Sequence, residues 1–150
     1  MSLENNISIQ IKDAMKAKDV TRLDALRAIK SSLILLKTED RNQEVSESKE
    51  ILILQKLVKQ RKDSAVIFRK QNRIDLAEPE EAQAKVISEF LPEQLSESEI
   101  ENFVIESINK INAQGMKDMG KVMEIVSAEL AGKADGKTIS NIVKQKLSSS

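Results

Sequence analysis

The sequence predicts an all-α protein of two small helical domains, a four-helix unit with one long helix followed by a three-helix bundle. Three observations lead there. Apolar residues recur at three- and four-residue steps along almost the whole chain, and alternating strand patterns are nearly absent. Residues suited to cap a helix precede most of the periodic stretches. Near the middle, Leu91-Pro92 breaks the pattern, because a proline biases the residue before it away from helix. We place the boundary in the 92–96 stretch, giving domains 1–94 and 95–150.

Leu3, Ile7, Ile11, Ala14 and Met15 share one face of a first helix. Asp19 is placed to cap a second, in which Leu26, Ile29, Leu33 and Leu36 recur. The run TEDRNQEVSES, 38–48, reads as a polar loop. Ser46 then caps the longest helix, expected to reach about Asn72, with Leu54, Leu57, Val58, Ala65 and Phe68 on one face. Asp75 and Glu78 have capping-box spacing for a fourth helix from about residue 76 to Phe90, with Pro79 near its start, where a missing N–H costs least. Ser96 and Glu99 form a second box, opening a helix to about Ala113, with Gly115 as its stop. Asp118 is expected to cap the next helix, Gly132 to end it, and Asp135 to cap the last, which runs into a serine tail.

Composition removes several function classes. The 24 basic and 24 acidic residues leave no formal net charge, so any electrostatic function must be local. Cysteine and histidine are both absent, which removes the thiol nucleophile, the commonest general base and the commonest metal ligands. No cofactor, metal site or catalytic constellation is expected. With no tryptophan or tyrosine and three phenylalanines, base-stacking platforms are not expected either. No apolar run approaches a membrane span, and MSLENNISIQIKDAMK lacks the basic start and apolar core of a secretion signal, so the expected location is cytoplasmic.

All four glycines fall in residues 115–137. Gly120-Lys121 and Gly136-Lys137 would open helices, whose free N–H groups can hold phosphate. Against this, Asp118 and Asp135 would already occupy the caps and repel a phosphate, and no phosphate-loop pattern is present. The reading preferred here is structural: Asp118 and Asp135 as caps, Gly120 and Gly136 as points of tight helix contact. Met116, Met119 and Met123 recur at helical spacing and read as a core stripe.

The segment KLVKQRKDSAVIFRKQNR, 56–73, holds seven basic residues against one acid. At 100° per residue, Lys56, Lys59, Lys62, Arg69, Lys70 and Arg73 fall on one arc of the long helix, opposite its apolar face. The arc is either a solvated face or a phosphate-contacting stripe. Arg61 stands apart, in the middle of the apolar face, and is expected to be buried against a carboxylate of another helix, with Asp13 and Asp24 as candidates.

Four motifs, VKQRKDS (58–64), LPEQL (91–95), KDMGKVM (117–123) and GKADGK (132–137), together resemble the YqeY-like family over nearly the whole chain. Phe90 stands where the family pattern has tyrosine, which removes a hydroxyl contact. The family is similar to the C-terminal tail region of the B subunit of glutamine-dependent aspartyl/glutamyl-tRNA amidotransferase, a tRNA-contacting appendage whose enzyme carries its chemistry elsewhere. The resemblance therefore implies a non-catalytic tRNA-binding or amidotransferase-associated module. Lys59, Lys62, Arg69, Lys70, Arg73, Lys121 and Lys137 are the candidate phosphate contacts. The alternative is an accessory protein that binds protein alone. A carbon–nitrogen ligase using glutamine as amide donor ranks last, because likeness does not transfer a missing active site.

Overall fold

The computed structural model describes residues 2–39 and 45–148. Those residues form seven α-helices, one 3₁₀ turn and no strand: α1 (Leu3–Ala17), α2 (Val20–Glu39), α3 (Glu47–Lys70), α4 (Ile74–Ser88), α5 (Glu97–Ile111), the 3₁₀ turn (Met116–Asp118), α6 (Met119–Glu129) and α7 (Gly136–Ser148). The protein is all-α, as its periodicity predicts. The chain divides between Leu91 and Pro92 into two compact units.

Unit 1 holds α1 to α4. Ser2 and Ser46 cap α1 and α3 by accepting N–H bonds from Asn5 and Lys49, and Asp19 accepts the Arg22 N–H at 3.1 Å to open α2. Ile7, Leu26, Ile29, Leu54 and Ile87 are almost wholly excluded from water. Each such side chain contributes about 1.5–3 kcal/mol relative to exposure. Met15, placed with the first helix's apolar face by its spacing, is instead 54% exposed, since it falls in the last turn, beside the left-handed Lys18. Beyond Val58 on α3 and before Ala84 on α4, the buried apolar residues are only Ala65 and Ala77, which stand outside the main cluster. The far half of the α3–α4 hairpin is thus held by small side chains.

α4 starts earlier than its expected capping box. Arg73 is its N-cap and offers no side-chain cap bond, and Asp75 lies inside the first turn with its carboxylate on the Arg73 guanidinium. The arginine has taken the acceptor the box would need. Pro79 consequently falls within the helix and leaves the Asp75 carbonyl without its helical donor. The loop expected over 38–48 is shorter: Thr38 and Glu39 still belong to α2, and 40–44 lie outside the described residues.

Unit 2 packs α5, α6 and α7 around Ile100, Val104, Val122, Val126, Ile139, Val143 and Leu147. Ser96 caps α5 through the Glu99 N–H at 3.2 Å, which is half of the expected capping box; the Glu99 carboxylate accepts the Ser96 hydroxyl at 3.2 Å in place of the Ser96 N–H. A Lys146–Glu101 ion pair ties α7 to α5. Met119 and Met123 flank this core, but Met116 sits in the 3₁₀ turn and is 47% exposed. Gln94 donates from its amide to the carbonyls of Pro92 and Gly132, both at 2.7 Å, while the Leu95 N–H reaches the Lys133 carbonyl at 2.9 Å. Two of the sequence motifs, LPEQL and GKADGK, therefore meet as one clamp.

Helix ends are closed mainly by residues other than glycine. Lys18, Asn72 and Asn112 adopt the left-handed conformation after α1, α3 and α5. In each case a paired set of returning N–H bonds follows, such as Asn72 to Arg69 and Arg73 to Phe68. Asn112, rather than the expected Gly115, stops α5, and Gly115 (φ 101°) opens the 3₁₀ turn. Gly132 (φ 79°) does take the left-handed position after α6.

Candidate nucleic-acid interface

The cationic arc of α3 is present and exposed, but it is partly neutralised. Lys59 pairs with Asp63 one turn on at 3.1 Å. Arg69 grips Glu81 of α4 with two bonds, Nε to Oε1 at 2.5 Å and the second nitrogen to Oε2 at 2.9 Å. Arg73 grips Asp75 in the same way at 3.1 and 3.0 Å. Those bonds hold the Glu81 and Asp75 carboxyls below the ordinary carboxylate range. Lys56, Lys62 and Lys70 are exposed and have no carboxylate partner among the described residues. Leu52, Val66 and Ile67 are interleaved with them, each more than half exposed at 64%, 52% and 54%.

Arg73 needs a correction. The helical arc assumes regular geometry to residue 73, but α3 ends at Lys70 and the left-handed Asn72 turns the chain, so Arg73 belongs to the start of α4. The expectation for Arg61 also fails. It is only half-buried, and it donates to the Gln83 amide oxygen of α4 at 3.1 Å and to the Leu57 carbonyl of its own helix at 3.3 Å. Among the described residues it meets no carboxylate, neither Asp13 nor Asp24. Its long stem lets the guanidinium reach the edge of the apolar face, where neutral acceptors suffice.

Lys121 and Lys137 are both exposed, yet α6 separates the turns they belong to. An eleven-residue helix spans about 16 Å, so the two lysines mark opposite ends of the bundle. Asp118 does not cap α6. The preceding 3₁₀ turn has already brought it to near-helical angles, and its carboxylate accepts the Gln114 N–H behind it at 2.7 Å. Asp135 precedes α7, its carbonyl taking the Ile139 N–H and its carboxylate the Thr138 hydroxyl at 3.4 Å. Gly120 and Gly136 have ordinary helical backbones, and a Cβ added at either would meet nothing within 4 Å. The tight helix contacts expected at these two glycines are not formed among the described residues.

Elsewhere the titratable groups are scattered. A cleft of about 340 Å³ in unit 1 is lined by Ser2, Glu4, Lys37 and Glu50 among others, with Lys37 bonded to Glu4. Burial, then the neighbouring Glu47, raises the Glu50 carboxyl above its ordinary value. No group of acidic side chains suited to a metal ion occurs among the described residues, and no helix among them is long and apolar enough to cross a membrane.

The features that sequence reasoning missed are Glu81 and Asp75 as partners of the two arginines. The available signal was the change of charge sign between 56–73 and the acids Asp75, Glu78, Glu80 and Glu81 of the following helix.

Comparison with known proteins covers most of the chain. The model of the family described as Yqey-like protein matches residues 4–147. The protein called altered inheritance of mitochondria protein 41, mitochondrial, from Clavispora lusitaniae is 30% identical over 139 residues, covering 87% of this chain and 77% of that one. Its counterpart from Lachancea thermotolerans is 29% identical over 147 residues, covering 93% and 79%. The E subunit of glutamyl-tRNA(Gln) amidotransferase from Thermococcus gammatolerans is 40% identical over 73 residues, which is 46% of this chain but only 12% of that much longer protein.

Proposed function

We propose that this chain, which belongs to the YqeY-like protein family, is a non-catalytic tRNA-handling module that meets the tRNA backbone along α3. The observation that supports this most directly is the set of exposed lysines Lys56, Lys62 and Lys70 on one helix without carboxylate partners among the described residues. Cations of this kind serve polyanions by displacing condensed counterions, and they carry no sequence readout. Similarity to a protein named for tRNA amidation gives the polyanion its class. We assign the chain no carbon–nitrogen ligase chemistry: it spans 12% of that amidotransferase protein and has neither histidine nor cysteine. Lys121 and Lys137, about a helix length apart, act in this reading as outlying contacts.

The test is a titration of labelled tRNA at several salt concentrations, wild type beside Lys62→Gln/Lys70→Gln. Both lysines are used because Arg69 is already engaged by Glu81. The double variant should bind every tRNA more weakly and lower the salt slope by about 1 for each phosphate no longer neutralised. Equal affinities and slopes would refute the reading. They would favour the protein-only alternative, which the exposed Leu52, Val66 and Ile67 support. The proposed compartment is the cytoplasm; the fungal relatives are named for mitochondria, and imaging a tagged copy in the native cell separates the two.

A further inference from the structure

Arg69 lies on the same side of α3 as Lys62, two helical turns away, about 10 Å along the axis. It belongs to the face assigned to RNA, yet a carboxylate of the neighbouring helix occupies it. The contact is a two-pronged guanidinium–carboxylate fork, the geometry an arginine also offers a phosphate. Both side chains remain substantially exposed, at 48% and 41%, so neither is locked in by burial. This pair is not the hairpin's sole tie. Ala65 and Ala77 are buried on the packed faces of α3 and α4, and the Arg61–Gln83 bond joins the same two helices independently. A contact that strong in geometry, open to water and not alone in joining the two helices can be exchanged.

We propose that Glu81 is a resident phosphate stand-in, an autoinhibitory contact that masks Arg69 until a tRNA backbone displaces it. Asp75 on Arg73 repeats the arrangement at the hairpin turn. This rests on the tRNA reading of α3 and adds to it a built-in limit on affinity. In the wild type, the phosphate gained by Arg69 is matched by a carboxylate released to attract its own cation. That contact then adds nothing to the net counterion release. Removing the carboxylate uncovers it.

Glu81→Gln should therefore tighten tRNA binding at low salt by up to about fivefold, the equivalent of one exposed ion pair. It should also steepen the log–log salt slope by about 0.7–0.9. Two companions separate unmasking from a simple change of net charge. Glu80→Gln removes the same charge from the same helix, and Glu80 holds no ion pair among the described residues; it should leave the slope unchanged. In an Arg69→Gln background, Glu81→Gln should bring no gain. Circular dichroism melts of each variant show that α3 and α4 are intact. An unchanged slope in Glu81→Gln, an equal gain from Glu80→Gln, or a gain that persists without Arg69 would each overturn the mask while leaving the lysine result to stand. No tRNA binding by the wild type or any variant would overturn both.

Discussion

Replacing Arg61 with leucine discriminates sharply between two accounts of the long helix. An arginine buried against a carboxylate would strand that partner's charge on removal, at about 3–5 kcal/mol. The observed contacts give a smaller figure. Arg61 donates one bond to a neutral amide, Gln83, and one to the Leu57 carbonyl. A net hydrogen bond contributes about 1 kcal/mol between neutral groups and about 1.5–3 kcal/mol where one partner is charged, with partial exposure to water favouring the lower end here. Gln83 is half-buried and can turn to water, and the Leu57 carbonyl lies within its own helix ladder, so neither is left in an apolar hole. The incoming leucine would lie on the same face as Leu57 and Phe68 and recover part of the loss by covering apolar surface. Arg61→Leu should therefore cost no more than about 2 kcal/mol. The chain has no tryptophan or tyrosine, so the assay is urea unfolding followed by far-ultraviolet circular dichroism, with the midpoint compared at unchanged m. A loss of about 3 kcal/mol or more would mean that Arg61 faces a negative charge after all and would sink this account of the site.

Two further outcomes are expected. Asp118→Ala should destabilise unit 2 by about 1 kcal/mol by releasing the Gln114 N–H; because the carboxylate holds the turn before α6, amide exchange should quicken at Gln114, and unchanged exchange there would refute this role. Glu50 has a folded pKa raised by burial, so its ionised form weighs against the fold; that penalty is absent below its unfolded pKa and grows as pH rises through the folded value. Glu50→Gln should accordingly raise thermal stability at neutral pH and do little near pH 4, roughly the unfolded carboxyl value; a lower melting temperature at neutral pH would contradict the assigned cause.

The elements are legible because they depend on near neighbours. Asp19, Ser46 and Ser96 cap their helices as their positions suggest, since each needs only an N–H three residues ahead. The same logic fails where a competitor stands close by. Arg73 takes the Asp75 carboxylate, and a 3₁₀ turn reorients Asp118. Helix ends are harder to read because glycine is the usual signal, whereas here two asparagines and a lysine adopt the left-handed angles. The cationic arc follows from angular spacing alone. Its masking does not, because the Arg69–Glu81 pair depends on how α3 and α4 register across their turn, and no local spacing encodes that. The Gln94 clamp is hidden for the same reason, since it closes on a carbonyl 38 residues away.

The small side chains of the outer hairpin also have a dynamic consequence. Local opening costs little where few large apolar groups must be exposed. From Arg61 to about Gln83, unit 1 hides only Ala65 and Ala77, whereas the inner half of the same helices carries Leu54, Leu57, Val58 and Ile87. The hairpin tip is thus cheaper to loosen than the inner turns of the same helices, and deuterium should enter it by partial unfolding well before those turns exchange. The lysines Lys62 and Lys70 ride on that yielding segment. Under the tRNA reading proposed above, that face would adjust its curvature to an irregular polyanion while the core beneath Leu54 stays closed.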